Sequence, residues 1–134
     1  MYGLQFRTVH RYSGGQGVAI PVELRAGSGY VPVVAIVDTG SSCCLFANEM
    51  AEALGLDLTS GTLLRFRTAN SSFEAYGHEV ELKSLGVTVQ STVYFFADPS
   101  IGKNVLGQTG WLDRVRLGLV HHDNAMYLAP YDDE

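Results

Sequence analysis

The sequence has few of the features that cross-link a chain through disulfides or anchor it in a membrane. Its 134 residues include two cysteines, Cys43 and Cys44, which are adjacent and therefore do not make a disulfide framework. No apolar run approaches the ~20 residues of a membrane-spanning helix. Residues 1–7 lack the charged and apolar regions of a signal peptide. These absences predict a cytoplasmic protein with both thiols reduced and buried, and they disfavour a redox role for them.

Strong charge is also missing. The formal net charge is −5 at pH 7, and neither acidic nor basic residues form a long run. Proteins that bind nucleic acid or anionic membranes usually present a basic patch, so neither partner is expected. With 46% hydrophobic residues, the chain has enough apolar material for one domain over residues 1–134.

Two clusters that suggest a cofactor or a metal do not satisfy the requirements for one. The glycine-rich segment 14–17 lacks the Gly-Lys-Ser/Thr ending of a phosphate loop, and a strand pattern follows it where a phosphate loop has a helix. His121 and His122 beside Asp123 are vicinal, so their side chains tend to point apart, and no spaced third ligand accompanies them. The sequence predicts neither a metal nor a cofactor.

The most informative stretch is an apolar run that ends in a carboxylate. Residues 33–37 are Val-Val-Ala-Ile-Val, and Asp38 follows directly. Such a run predicts a strand buried on both faces, which places Asp38 in or beside the core. A carboxylate there needs compensation, and residues 39–42, Thr-Gly-Ser-Ser, supply hydroxyl and backbone N–H donors in a turn. The pattern indicates a carboxylate held for chemistry.

Residues 36–41, Ile-Val-Asp-Thr-Gly-Ser, resemble the active-site signature of the aspartic proteases, which is two apolar residues followed by Asp-Thr-Gly-Ser/Ala. Residues 105–107, Val-Leu-Gly, are similar to a second landmark of that family, which opens a short helix. The chain holds one Asp-Thr-Gly and is too short for two pepsin-like lobes. It therefore resembles the retropepsin-like, retroviral-type branch, whose members build one site from two chains. The resemblance covers about residues 18 to 129.

This resemblance implies an all-β fold, a closed or partly open acid-protease barrel with one or two short helices, in a single lobe that acts as a homodimer. It implies an aspartic endopeptidase that hydrolyses a peptide or protein substrate through water activated by a dyad of Asp38 from two chains. Thr39 would link the chains by hydrogen bonds, and Gly40 would let the backbone accept substrate or support the carboxylate. Ser41 would hydrogen-bond near Asp38 and contact the substrate.

Strand patterns frame these motifs. Residues 18–25 and 30–37 predict one hairpin, and residues 62–68 and 73–82 predict another around an Ala-Asn-Ser-Ser turn. From the residues alone this turn is an ordinary hairpin end. Its place between the two landmarks corresponds to the flap of aspartic proteases, which implies that Thr68, Ala69 and Asn70 contact a peptide.

Weaker patterns predict the remaining elements. We expect a strand or arm over residues 2–9, a helix over 48–54 that Asn48 caps, and a short helix around 108–113. Met50, Ala53 and Leu54 would form the core-facing side of the first helix. Further strands are predicted over residues 85–90, 92–97, 114–120 and 125–128.

Two functions of different kinds fit these residues. One is the endopeptidase, and the other is a catalytically silent retropepsin-fold module that dimerises or binds peptides, because a fold does not dictate a function. The intact signature at residues 38–41 favours catalysis, since an inert domain gains nothing from a buried carboxylate. A serine hydrolase is disfavoured because Gly-x-Ser-x-Gly is absent, and no histidine stands out as a partner for Cys43.

Overall fold

Runs of alternating apolar and polar residues fold most of the chain into ten strands. The computed structural model describes residues 1–134 and has 51% of them in strands and 11% in helices, which confirms the all-β prediction. The strands are β1 Thr8–Arg11, β2 Ala19–Ala26, β3 Gly29–Val37, β4 Leu45–Phe46, β5 Thr62–Arg67, β6 Ser72–Ser84, β7 Val87–Phe96, β8 Val105–Leu106, β9 Val115–Val120 and β10 Ala125–Pro130. The helices are α1 Asn48–Ala53 and the 3-10 turns Leu58–Ser60, Leu112–Arg114 and His121–Asp123. None of them has the length and apolar character to cross a membrane.

Seven strands make one sheet in the order β2-β3-β8-β4-β7-β6-β5. An additional antiparallel pairing of β2 with β6, which sets Leu24 opposite Leu82, closes six of them into a barrel and leaves β5 outside the ring. Alternate side chains of each strand point inward and make the core. Its largest fully buried members include Trp111, Phe46 and Phe95. Of the closed or partly open barrel that was predicted, the structure has the closed form.

The remaining strands form a separate sheet in the order β1-β10-β9. Because Thr8 pairs with Leu128, the first and last strands of the chain lie side by side. Of the strand or arm predicted over residues 2–9, only the last two residues are in a strand, since β1 begins at Thr8 and Tyr2 and Leu4 are exposed outside any strand. Strand structure starts only where β10 offers hydrogen bonds.

The apolar run of β3 is not buried on both faces as predicted. Ala35 is fully buried, but its neighbour Val34 is 63% exposed. The strand runs between β2 and β8 in the barrel wall, so one of its faces lines the core and the other faces outward. Apolar composition alone does not distinguish this arrangement from a strand covered on both sides.

Helix α1 lies where the sequence predicts it, but its first turn is built differently. Ala47 occupies the N-cap position, and no side chain caps the helix. Asn48 Nδ2 instead donates to the Phe96 carbonyl oxygen at 2.9 Å, which ties the helix to the end of β7. The predicted cap is therefore wrong, because a tertiary acceptor is available to the asparagine amide.

The core-facing side of α1 also differs from the prediction. Leu54 is buried and Met50 packs half-buried against the core, as expected, but Ala53 is exposed and Ala51 takes the buried place. Other differences concern boundaries. The strands predicted over 85–90 and 92–97 are one strand, β7, and the helix predicted around 108–113 is a 3-10 turn at Leu112–Arg114.

Barrel closure predicts a stability effect at Leu82, which is fully buried opposite Leu24 on the β2–β6 pairing. Replacing Leu82 by Ala removes packed methyl groups and leaves a cavity, so the free energy of unfolding should fall by about 2–5 kcal/mol. Urea denaturation measures this at one fixed protein concentration. The matched control is Leu63→Ala on β5, where the leucine is 42% exposed and a change below ~1 kcal/mol is expected. Equal effects of both variants would contradict the closed barrel.

Candidate active site

Asp38 is the first residue after β3, and the fold places it beside the second sequence landmark. β3 pairs in parallel with β8, which sets Ile36 opposite Val105 and Val37 opposite Leu106. The Asp38 N–H continues this ladder by donating to the Leu106 carbonyl oxygen at 2.9 Å. Two motifs that are far apart in sequence thus form one structural unit.

Gly107 holds the loop after Asp38 in place by its lack of a side chain. A Cβ atom at this position would lie 2.2 Å from the Cys43 carbonyl oxygen and 2.7 Å from the Ser41 carbonyl oxygen. The close approach lets the Gln108 N–H donate to the Ser41 carbonyl oxygen at 2.8 Å. A glycine here is therefore a packing requirement of the Asp38 loop.

Within the loop, the polar groups mostly bond to backbone. The Gly40 N–H donates to Asp38 Oδ1 at 2.9 Å, so Gly40 supports the carboxylate. Gln108 Nε2 donates to the Thr39 carbonyl oxygen at 2.7 Å, and Thr39 is exposed. Ser41 Oγ donates to the Cys43 carbonyl oxygen at 2.7 Å, so its hydroxyl bonds within the loop that follows Asp38 and not to the carboxylate itself. Ser41 stiffens the loop.

Asp38 is exposed in the single chain, which contradicts its predicted place in or beside the core. β3 ends at Val37, and the carboxylate that follows it is exposed to solvent, so the single hydrogen bond from the Gly40 N–H suffices for it. The inference that the chain maintains a buried carboxylate at a desolvation cost is therefore wrong. What distinguishes Asp38 is the surface that it faces.

That surface is a cavity of about 570 Å³ between the Asp38 loop and the β5–β6 hairpin. Its polar and charged lining consists of Asp38, Ser41, Ser42, Arg67, Thr68, Ser71 and Lys103. Its apolar lining consists of Leu45, Phe66, Phe73, Phe96, Ile101 and Val105, with Gly40 completing the loop side. Asp38 is the only carboxylate among these residues.

Aromatic contacts seat the hairpin on the barrel. Phe66 and Phe73 face each other across β5 and β6 and stack with ring centroids 4.9 Å apart. Phe73 also packs against Phe96 of β7, with centroids 5.2 Å apart. The hairpin predicted as a flap thus forms one wall of the cavity that contains Asp38.

The tip of this hairpin is closed by its own polar groups. The Thr68 N–H donates to the Ser71 carbonyl oxygen at 2.8 Å, and the Ser71 N–H donates to Thr68 Oγ1 at 3.1 Å. Thr68 lines the cavity, and Ala69 and Asn70 do not. The turn leaves these two residues at the exposed tip beyond the wall. That the three residues contact a peptide stays a prediction.

Comparison with known proteins identifies the family. The family model described as aspartyl protease matches residues 20–110, which is most of the chain. The chain belongs to the aspartyl protease family. Comparison with curated proteins found no match.

Solved structures share the fold of this family member. A retropepsin-like aspartic protease from Rickettsia conorii superimposes with a TM-score of 0.57 at 20% identity, over 83% of this chain and 89% of that chain. The EIAV protease, solved with an inhibitor, superimposes with a TM-score of 0.51 at 15% identity, over 72% of this chain and 86% of that chain. The retropepsin-like resemblance is confirmed at the level of fold.

The cysteines of this family member are free and buried, as predicted. Burial raises the pKa of the Cys43 thiol, and burial also raises the pKa of Cys44, to about 12. Both thiols are therefore protonated near neutral pH, which makes them poor nucleophiles.

His121 lies in the 3-10 turn after β9, where its Nδ1 is 2.7 Å from the Tyr12 hydroxyl.

Sequence reasoning missed most of the cavity wall. The place of Phe66 could have been predicted from the sequence. Residues two apart on a strand share a face, and Phe66 precedes Thr68 by two. Arg67 and Lys103 line the cavity from different segments, and nothing in their sequence neighbourhood indicates that they converge. Gln108, which holds Thr39, follows the second landmark but carried no separate signal.

The close packing at residue 107 predicts that Gly107→Ala destabilises the protein and disorders the Asp38 loop, because the new methyl group meets backbone carbonyls that cannot rotate away. The variant should lose at least ~2 kcal/mol of unfolding free energy, measured by urea denaturation. Gly102→Ala is the matched control, since a Cβ at residue 102 has no neighbour within 4 Å. A Gly107→Ala variant as stable as the control would disprove this packing role.

Proposed function

We propose that this chain is an aspartic endopeptidase whose catalytic pair consists of Asp38 from two copies. The observation that carries the proposal is the lining of the cavity, where Asp38 is the only carboxylate. Peptide hydrolysis by carboxylates needs one group that takes a proton from water and another that donates one to the amide. One chain does not supply both groups at this place.

A second copy supplies the missing carboxylate if a twofold axis passes beside Asp38, because such an axis pairs a surface with itself. The exposure of Asp38 and Thr39 supports this arrangement, since both are free to meet their symmetry mates. The Thr39 side chain makes no hydrogen bond within the chain, while Gln108 holds its carbonyl group. Thr39 is accordingly proposed to link the two loops.

The reaction then follows from a shared proton. Two carboxylates in contact repel each other when both are charged, so one holds a proton and the other is charged. The two active-site aspartates of pepsin share a proton in the same way. The charged Asp38 takes a proton from water as the water oxygen bonds to the peptide carbonyl carbon. The protonated Asp38 donates to the carbonyl oxygen. As the tetrahedral intermediate collapses, the Asp38 that took the water proton gives it to the amide nitrogen, the other Asp38 takes a proton from one hydroxyl of the intermediate, and the C–N bond breaks. The amine leaves neutral, and the pair again holds one proton.

Each part of the cavity has a role in this proposal. The backbone of Gly40 keeps one Asp38 oxygen in place, which preorganises the pair. The β5–β6 hairpin covers an extended peptide, with Thr68 at the cavity and the aromatic side chains of Phe66 and Phe73 against the substrate. Ser41 borders the substrate but acts mainly through its bond to the Cys43 carbonyl oxygen.

Replacing Asp38 by Asn should abolish cleavage of a mixed peptide library while the free energy of unfolding changes little, because the side chain is exposed and accepts one hydrogen bond. Peptide hydrolysis and thermal melting, measured side by side, test this. Asp132→Asn is the matched control, since Asp132 is an exposed carboxylate away from the cavity. Retained turnover in Asp38→Asn would place the catalytic carboxylate elsewhere.

The same variant tests the origin of the second carboxylate. Excess Asp38→Asn chain, mixed with the wild type, should lower its activity by forming mixed dimers with a single carboxylate. Excess Asp132→Asn should not. Undiminished activity in the presence of Asp38→Asn, or full specific activity of a monomer in sedimentation, would contradict the dimeric site. Wild-type chain that binds peptides but cleaves none would favour the silent peptide-binding module.

The shared proton also predicts the pH dependence of kcat/KM. The competent pair carries one proton, so the rate should fall at low pH, where both groups are protonated, and at high pH, where neither is. Hydrolysis measured from about pH 3 to pH 8 should trace a bell on the acidic side of neutrality. Thiol alkylation at these pH values should leave the rate unchanged, because the pKa of Cys44 is raised to about 12. A rate that climbs steadily to pH 8 would exclude the pair.

A further inference from the structure

The charges around the candidate active site are unbalanced. Arg67, at the end of β5, and Lys103, in the segment before β8, line the cavity from different parts of the chain. Both are exposed, and neither makes a salt bridge. The ion pairs of the chain are Arg7–Asp133, Arg65–Glu74 and Arg114–Asp113, and His122 Nε2 lies 4.0 Å from Asp123 Oδ1. A protein of net charge −5 thus keeps two unpaired cations beside its candidate catalytic carboxylate.

Nearby carboxylates do not neutralise these cations. Arg67 also borders an adjacent cavity of about 540 Å³ whose lining includes Glu74 and Asp98. Glu74 is engaged by Arg65 at 2.9 Å. Asp98 accepts bonds from the Ser100 N–H at 2.8 Å and the Ser100 hydroxyl at 2.7 Å, and the backbone bond foremost lowers the pKa of Asp98. Both anions have partners of their own, so the charge of Arg67 remains available.

Within the cavity itself, the balance is positive. Arg67 and Lys103 contribute two positive charges, and Asp38 contributes at most one negative charge. If two copies share a proton between their Asp38 side chains, the negative charge per chain is smaller still. A peptide that enters this cavity therefore meets a positive potential next to an apolar wall of aromatic and aliphatic side chains.

We propose that Arg67 and Lys103 select substrates that carry a glutamate or aspartate within a few residues of an apolar residue at the cleaved bond. This proposal rests on the proposed peptidase function and names its substrate class. The apolar wall formed by Phe66, Phe73 and Phe96 receives the apolar side chain. The two cations bind the carboxylate, which an arginine guanidinium does through paired N–H donors and a lysine does as a point charge.

The expected size of the preference follows from the exposure of the two cations. Each exposed ion pair contributes a few-fold in affinity at most, so two together should favour a glutamate peptide over its glutamine analogue about three- to tenfold. Salt screens such pairs, so the ratio should shrink toward one as the salt concentration rises from about 50 mM to about 500 mM. It should also shrink where the substrate glutamate becomes protonated, near its ordinary pKa of ~4.3.

Three series of peptides test the proposal. The series are identical except at one position near a constant apolar pair, which holds Glu, Gln or Lys. The readout is the ratio of kcat/KM for the Glu peptide to that for the Gln peptide. The wild type should prefer Glu over Gln and Gln over Lys. In Arg67→Gln and Lys103→Gln the ratio should fall, and in the double variant it should approach one. Lys83→Gln, which removes an exposed lysine of β6 outside the cavity, should keep the wild-type ratio and so controls for net charge.

A second readout separates this proposal from the catalytic one. Binding of the same peptides to the Asp38→Asn variant, measured by fluorescence anisotropy, gives the ratio of Kd values without any cleavage. A Glu preference in binding that the double substitution removes supports the proposal even if the wild type cleaves nothing. Three outcomes would overturn the proposal. The wild type cleaves or binds the Glu and Gln peptides equally, the Glu-to-Gln ratio is unchanged in the double variant, or the Glu peptide does not bind.

Discussion

The parallel pairing of β3 with β8 is the contact on which the rest of the site depends. It joins the end of the first motif to the second and lets the Asp38 N–H bond to the Leu106 carbonyl oxygen. The missing side chain of Gly107 then allows the backbone at Ser41 and Cys43 to close around it. These contacts between backbone groups position the loop, and the side chains of Ser41 and Gln108 add hydrogen bonds to its carbonyl groups.

The exposure of the Asp38 carboxylate in the single chain distinguishes this site from one whose acid is buried. In many enzymes a catalytic acid is tuned by burial within one chain. Here the single chain leaves Asp38 at an open edge, supported by one backbone donor. The tuning that the proposed chemistry requires must therefore come from the second copy, so assembly and catalysis are one physical event in this proposal.

The hairpin wall contributes a different kind of control. One of its strands, β6, belongs to the barrel, and aromatic rings pack at its base, while its tip is closed by hydroxyl and backbone bonds of its own. This construction separates a packed apolar base from a polar tip that makes few contacts. It also brings Arg67 to the cavity, and Lys103 lines the same cavity from the segment before β8, which gives the cavity its positive balance.

The sequence by itself determined the family, the all-β barrel, the two hairpins and the motif residues 36–41 and 105–107, because these depend on local patterns and on a short chemical signature. It did not determine which face of β3 is buried, the exposure of Asp38 or the role of Asn48, since each depends on which strand lies alongside. Tertiary structure alone brought Phe96, Arg67 and Lys103 to one cavity. These residues meet because the barrel closes. The periodicity of the sequence does not predict which residues closure brings together.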